Sequence, residues 1–260
     1  MDRLMNRDGQ TPAGGNGGTG QVREDWVRDS TLSGFVATFA MTITLALAYA
    51  FANAVGNFDA GTLQRWFAGL TENEMTRMAE MQGGELILAM VFNLIMGLVW
   101  AVIYGRVAEP MLRGPGWRKG ILFSLVPFLL SIFVFFPAVG VGVLGMGIDA
   151  GPLPVLGNLI LHVVYGAVLG AMYAIETDTG LGTATGEHQA AVDSERGAAI
   201  GVAIGVVFGV AAGWLVGPGL SDLADRTTIA IAGAFTGGAI GILIGSLVGM
   251  RDQTEGRRVL

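Results

Sequence analysis

The chain has 260 residues, of which 52% are apolar and only 14% charged, and its mean hydropathy is +0.58. A soluble domain carries about 25% charge, so lipid rather than water is the solvent expected for most of this chain. A net charge of −6 excludes nucleic acid as a partner, because phosphate binding needs a concentrated basic surface. With no cysteine, disulfides, thiolate metal sites, iron–sulfur clusters and cysteine nucleophiles are excluded as well.

Residues 1–30 are polar and are expected to form a disordered cytoplasmic tail. The glycine run at residues 14–20 lacks the Gly-Lys-Ser/Thr ending of a phosphate-binding loop. From Leu32 to Val55 the chain is uncharged for 24 residues, enough to cross a hydrocarbon core of about 30 Å as a helix. Arg23 and Arg28 ahead of it and Ala52-Asn53-Ala54 at its end imitate a signal peptide. The apolar run exceeds the roughly 7 to 15 residues of a signal core, so an uncleaved helix is expected.

Between Gly61 and Gln82, Leu63, Trp66, Phe67, Leu70, Met75, Met78 and Met81 recur at helical spacing among charged residues. This pattern suits an amphipathic helix at the membrane surface, or equally a loop helix packed on protein. Further apolar stretches run over residues 85–104, 120–144, 153–175, 197–216 and 227–250, making six spans. Pro127 and Pro137 predict a kink in the third, and the glycines at 140, 142, 145 and 147 an unwound outer end.

The expected fold is an all-α six-helix transmembrane bundle with an extracytoplasmic amphipathic interfacial helix. Its parts are a four-helix bundle at 31–176, a cytoplasmic linker at 177–196, a helical hairpin at 197–250 and a cytoplasmic tail at 251–260. Twelve of the 15 Lys and Arg residues fall on the side of the chain ends and three on the other. The positive-inside rule then places both termini in the cytoplasm, as in the inner membrane of a prokaryote. Trp26 and Trp117 near one interface and Trp66 and Trp214 near the other fit an aromatic belt.

Gly197, Gly201, Gly205, Gly209, Gly213 and Gly217 are spaced by four, and Gly233, Gly237, Gly241, Gly245 and Gly249 repeat the pattern in the last span. Such a strip lets a neighbouring backbone approach closely, so the two helices are expected to pair tightly. Four residues turn about 400°, so the strip drifts about 40° per step, which predicts a right-handed crossing or contact with two neighbours. Small residues at the same spacing in the first span (Gly34, Thr38, Thr42, Ala46), the second (Gly97, Ala101, Gly105) and the fourth (Gly166, Gly170, Ala174) predict a tightly packed bundle.

Polar side chains within the spans are each a candidate site, because hydrocarbon penalises them. Asn158, His162 and Tyr165 on the fourth span and Asn93 on the second lie at similar depth, where Asn93 could meet His162. Interhelical hydrogen bonding is the expected role of this cluster, with a small-solute or quinone head-group site as the sharper alternative. A single intramembrane histidine argues against heme, and the lack of deep Asp, Glu, Lys or Arg argues against a proton relay. No cofactor, metal site or catalytic residue is expected, and no enzyme.

The runs Gly34-Phe35-Val36-Ala37-Thr38-Phe39-Ala40-Met41-Thr42 and His162-Val163-Val164-Tyr165-Gly166-Ala167-Val168-Leu169-Gly170 resemble patterns in uncharacterised prokaryotic four-helix membrane proteins, over residues 32–175. The hairpin beyond resembles the glycine-zipper segments of several bacterial membrane proteins. Neither resemblance implies a catalytic residue. The function expected is non-enzymatic helix association, as a homo-oligomer or as an accessory subunit of an inner-membrane complex. Its partners would be membrane lipid and other membrane subunits or further copies of itself. The rivals are a channel or carrier for a small neutral solute, and a lipid- or quinone-binding subunit.

Overall fold

The computed structural model describes residues 26–56, 61–72, 83–176, 185–220 and 226–256. The expectations placed on residues 1–25, 73–82, 177–184 and 257–260 lie outside the described residues. Seven helices organise the rest: α1 (Trp26–Gly56), α2 (Thr62–Glu72), α3 (Gly83–Ile103), α4 (Gly116–Leu130), α5 (Leu153–Glu176), α6 (Thr185–Leu220) and α7 (Arg226–Gly256). A π turn at Tyr104–Ala108 and a last turn at Glu109–Met111 extend α3. A π turn at Ser131–Phe135 and a turn at Phe136–Ala138 extend α4. Six of these helices are long and apolar enough to cross a membrane, all but the short α2.

Several helix ends differ from expectation. α1 starts at Trp26, so Asp29 and Ser30 belong to the bundle and are wholly buried. α6 starts at Thr185, inside the expected linker, and α7 runs on to Gly256, inside the expected tail. Hydropathy marks where a chain enters lipid, whereas a helix ends where its backbone is interrupted. Ala, Glu, Gln and Arg are good helix formers, so both helices continue beyond the apolar run.

The bundle is inverted with respect to a soluble protein. Large apolar side chains such as Phe39, Leu47, Leu88, Phe208 and Leu215 point outward, and many of the tightest inner contacts are made by glycine, alanine, serine and threonine. Without a hydrophobic force between helices in lipid, close backbone packing must hold them together. Consecutive spans pair as antiparallel hairpins, α1 with α3, α4 with α5 and α6 with α7, and α1 also packs on α5. α6 touches mainly α7, whereas α7 also meets α4 and α5.

One end, here the near end, is where α1, α4 and α6 begin. Its interior holds Ala37, Tyr104, Phe123, Tyr165, Leu169 and Tyr173. Toward the far end, Leu125, Phe128 and Ile132 of α4 pack with Val155 of α5 and Ile229 and Ala232 of α7.

In the third span the irregularity is the π turn at Ser131–Phe135, between Pro127 and Pro137, each of which lacks the N–H of a regular helical bond. Beyond Ala138 the chain unwinds, as the glycines suggested, with positive φ at Gly140, Gly142, Gly145 and Gly151 and also at Leu144 and Asp149. This loop folds on itself through Val141 N to Phe136 O at 3.0 Å and Gly147 N to Val141 O at 2.9 Å.

Helix α2 closes over the loop. Leu70 joins the buried cluster of Val141, Ile148 and Ala150, Phe67 meets Phe51 edge-on at 5.8 Å, and Gly69 lies against the Ile148 and Asp149 carbonyls. One face of α2 is therefore packed on protein while Leu63 is 52% exposed. Gly151 combines φ of 55° with direct contact to the Trp66 ring. Gly151→Ala is expected to cost about 1–2 kcal/mol from the left-handed backbone alone and to lift Trp66, which limited proteolysis across α2 would register as faster cleavage.

Candidate functional site

Each hairpin is closed by a seam of small residues in antiparallel register, four residues up one helix matching four down the other. Between α6 and α7, a Cβ added at Gly197, Gly201, Gly205 or Gly209 would fall on the carbonyl oxygen of Gly245, Gly241, Gly237 or Gly233 respectively, and the reverse substitutions meet the same partners. Gly213 closes the series against Ile229 O, and the Gly249 Cα lies beside Gly197. Gly217 is helical, and no neighbour of it is described. The ladder meets one partner throughout, not two. A strip drifting by about 40° per step can do so only if the two helices coil around each other.

The α4–α5 seam repeats this geometry, with Gly116 against Gly170 and with Gly120 and Ser124 against Gly166. In the α1–α3 seam Ser30 meets Gly105, Gly34 meets Ala101 and Thr38 meets Gly97. Its next rung is a hydrogen bond, Asn93 Nδ2 donating to Thr42 Oγ1 at 3.0 Å. The hydroxyls of Ser30, Thr31, Thr38, Thr42, Thr44 and Thr236 donate to the carbonyl four residues earlier in their own helix. They serve as small residues with their polarity satisfied internally.

The four residues expected to form one polar cluster are divided, Asn93 and Tyr165 bonding to other helices and His162 to Asn158 on its own. Asn93 bonds to α1, not to His162, because its position in the α1–α3 register places it opposite Thr42. Tyr165 donates to Gly97 O at 2.6 Å and ties α5 to α3. His162 Nδ1 lies 2.8 Å from Asn158 O, one turn earlier on the same helix, and its ring meets Phe128 at 6.0 Å. Since a carbonyl only accepts, Nδ1 carries the proton there. Asn158 Nδ2 is buried without a hydrogen-bond partner among the described residues. The Asn93 and Tyr165 bonds are interhelical. Asn93→Ala and Tyr165→Phe should each cost about 0.6 kcal/mol, and no more than about 1.7, in reversible unfolding from detergent.

A second feature lies on the outside of the α6–α7 hairpin. An apolar groove of about 990 Å³ runs along it from Arg196 and Val248 to Val216 and Ile229. Its floor is the glycine ladder, and its walls include Ile200, Ile204 and Phe208 from α6 and Ile240 and Ile244 from α7. Those five side chains are 37% to 72% exposed.

Sequence reasoning missed two groups. The strip Gly116, Gly120, Ser124 carried the fourfold signal, but the span was drawn from Gly120 and so lost its first rung. Asp29 and Ser30 fell in the expected tail and Ser33 in the first span, although the Asp29-to-Ser33 spacing places both on one helical face.

Residues 25–180 match a family of unknown function, DUF6789. No curated protein and no solved structure matches the chain. The matched residues take in α1 to α5 and end before α6 begins. The chain belongs to the DUF6789 family of unknown function, and it carries the α6–α7 hairpin beyond the part that the family describes.

Proposed function

We propose that this protein is a non-enzymatic membrane subunit that works by helix association, as a homo-oligomer or as an accessory subunit of a larger complex in the cytoplasmic membrane. The observation that carries this reading is the α6–α7 hairpin, a glycine zipper whose ladder closes the hairpin and whose walled groove meets the rest of the bundle only at Phe133 and Leu144. Large apolar ridges flanking a small-residue floor suit the ridge of another transmembrane helix. The excess of basic residues at the near end supports a cytoplasmic placement for that end.

The absence of native cysteine makes the test simple. Single cysteines at Ile204 and Phe208, which wall the groove, and at Val207 and Leu215, which do not, are treated with a short thiol crosslinker in native membranes. Groove positions should form protein adducts and the others should not. Equal labelling of all four without adducts would reject helix docking. It would favour a second reading, supported by the groove's volume, in which a lipid or quinone tail lies in the groove.

A further inference from the structure

Helix α7 carries a second pattern besides the glycine ladder. Thr228, Ala232, Phe235, Ala239, Ile242 and Ser246 follow one another by alternate steps of four and three. Such a strip averages 3.5 residues per turn and keeps to one side of a helix, whereas a fourfold ladder winds around it. Thr228, Ala232, Ala239 and Ser246 are all buried.

What this strip meets belongs to the part of the chain that the family describes. Ala232 and Ala239 share a buried cluster with Leu125, Phe128 and Ile132 of α4 and Val155 of α5, and Phe235 and Ile242 pack against it. Phe128, Ile132 and Val155 are 0% exposed, whereas Val126, Leu130 and Val134, elsewhere on the same α4 span, are 42% to 59% exposed. No residue of α6 enters this cluster among the described residues, and α6 packs mainly on α7. One helix therefore presents two seams, the glycine ladder to α6 and the alanine-lined strip to the bundle.

All of these contacts are lateral, between helices that satisfy their own backbones in lipid before they meet. None of them requires the covalent passage from α5 to α6. The ladder closes the hairpin by its own contacts, so α6 and α7 dock as a unit through α7.

We infer that the α4–α5 face of the family bundle is a docking seat for a transmembrane hairpin with an alanine-lined face, and that this chain supplies the occupant itself, the α6–α7 hairpin, as a noncovalently seated module. The inference does not depend on what enters the outer groove.

A protease site placed between Gly180 and Leu181 of the full chain, with an affinity tag at the N-terminus, is cut in native membranes before extraction in mild detergent. The hairpin piece should be retained with the tagged bundle. Ala232→Leu and Ala239→Leu each overfill the strip and should lower the retained fraction by about tenfold. Ile244→Ala, on the outward side of α7 where the side chain is 58% exposed, should leave it unchanged.

Loss of the hairpin from the cut parent would overturn the inference, since the covalent connection would then be what holds it. Retention equal in the parent and in both alanine variants would overturn it too, because α7 would not be seated through this strip. Uncut samples extracted in parallel distinguish a failure to fold from a failure to dock. Should either alanine variant not extract uncut, Val155→Ala, which thins the seat from the bundle side, takes its place with the same expected direction.

Discussion

Gly237→Ala should destabilise the protein by about 1–3 kcal/mol, while Gly238→Ala, one residue along the same helix, should be neutral or stabilising by up to about 1 kcal/mol. At Gly237 the added methyl falls on the Gly205 carbonyl and close to the Gly209 Cα, both of them backbone, so the helices must part. At Gly238 it meets only the ends of the Val206 and Val202 side chains, at 3.3 and 3.5 Å. There the gain in helix propensity is retained. Reversible unfolding in mixed micelles measures both. Gly205→Ala and Gly237→Ala each push apart the same pair of backbones, so the double variant should lose less than the two single losses combined. Equal effects at Gly237 and Gly238 would mean that the ladder is not the contact.

The same contrast applies to α5. Gly166→Ala would press on the Gly120 carbonyl and on Ser124, and should cost about 1–3 kcal/mol. Gly157, about two and a half turns toward the far end, has nothing within 4 Å of the position that a Cβ would take. Gly157→Ala should therefore stabilise, by up to about 1 kcal/mol. Thermal unfolding in one detergent, with both variants side by side, is sufficient. A loss at Gly157 equal to that at Gly166 would contradict the α4–α5 register.

These contrasts separate what a sequence displays from what only packing decides. Span number follows from hydropathy, because any segment that cannot satisfy its backbone in lipid must be helical and long enough to cross. The fourfold glycine spacing was equally visible, since the pattern is local. The partner of each rung was not. The fourfold spacing picks out Gly237 and not Gly238, but only the antiparallel register shows that Gly237 lies against Gly205 and Gly209.

Asn93 illustrates the same gap. Its depth was readable, but depth alone allowed His162 as well as Thr42, and the register of α3 against α1 chose Thr42. Asp29 was hidden for another reason. A charged residue next to an apolar run normally marks the end of the span, whereas here α1 begins earlier and turns Asp29 inward beside Ser33. The docking of α2 over the unwound loop depends on long-range contacts such as Trp66 with Gly151, and no local pattern announces those.

The claim that this protein acts by helix association is tested most directly by extracting it gently from its native membrane and measuring the mass and composition of the particle that contains it. The account predicts either a particle with defined companion subunits or a homo-oligomer, well above the 27.0 kDa of one chain plus its bound lipid. A lone monomer, with no partner captured by crosslinking before extraction, would contradict it.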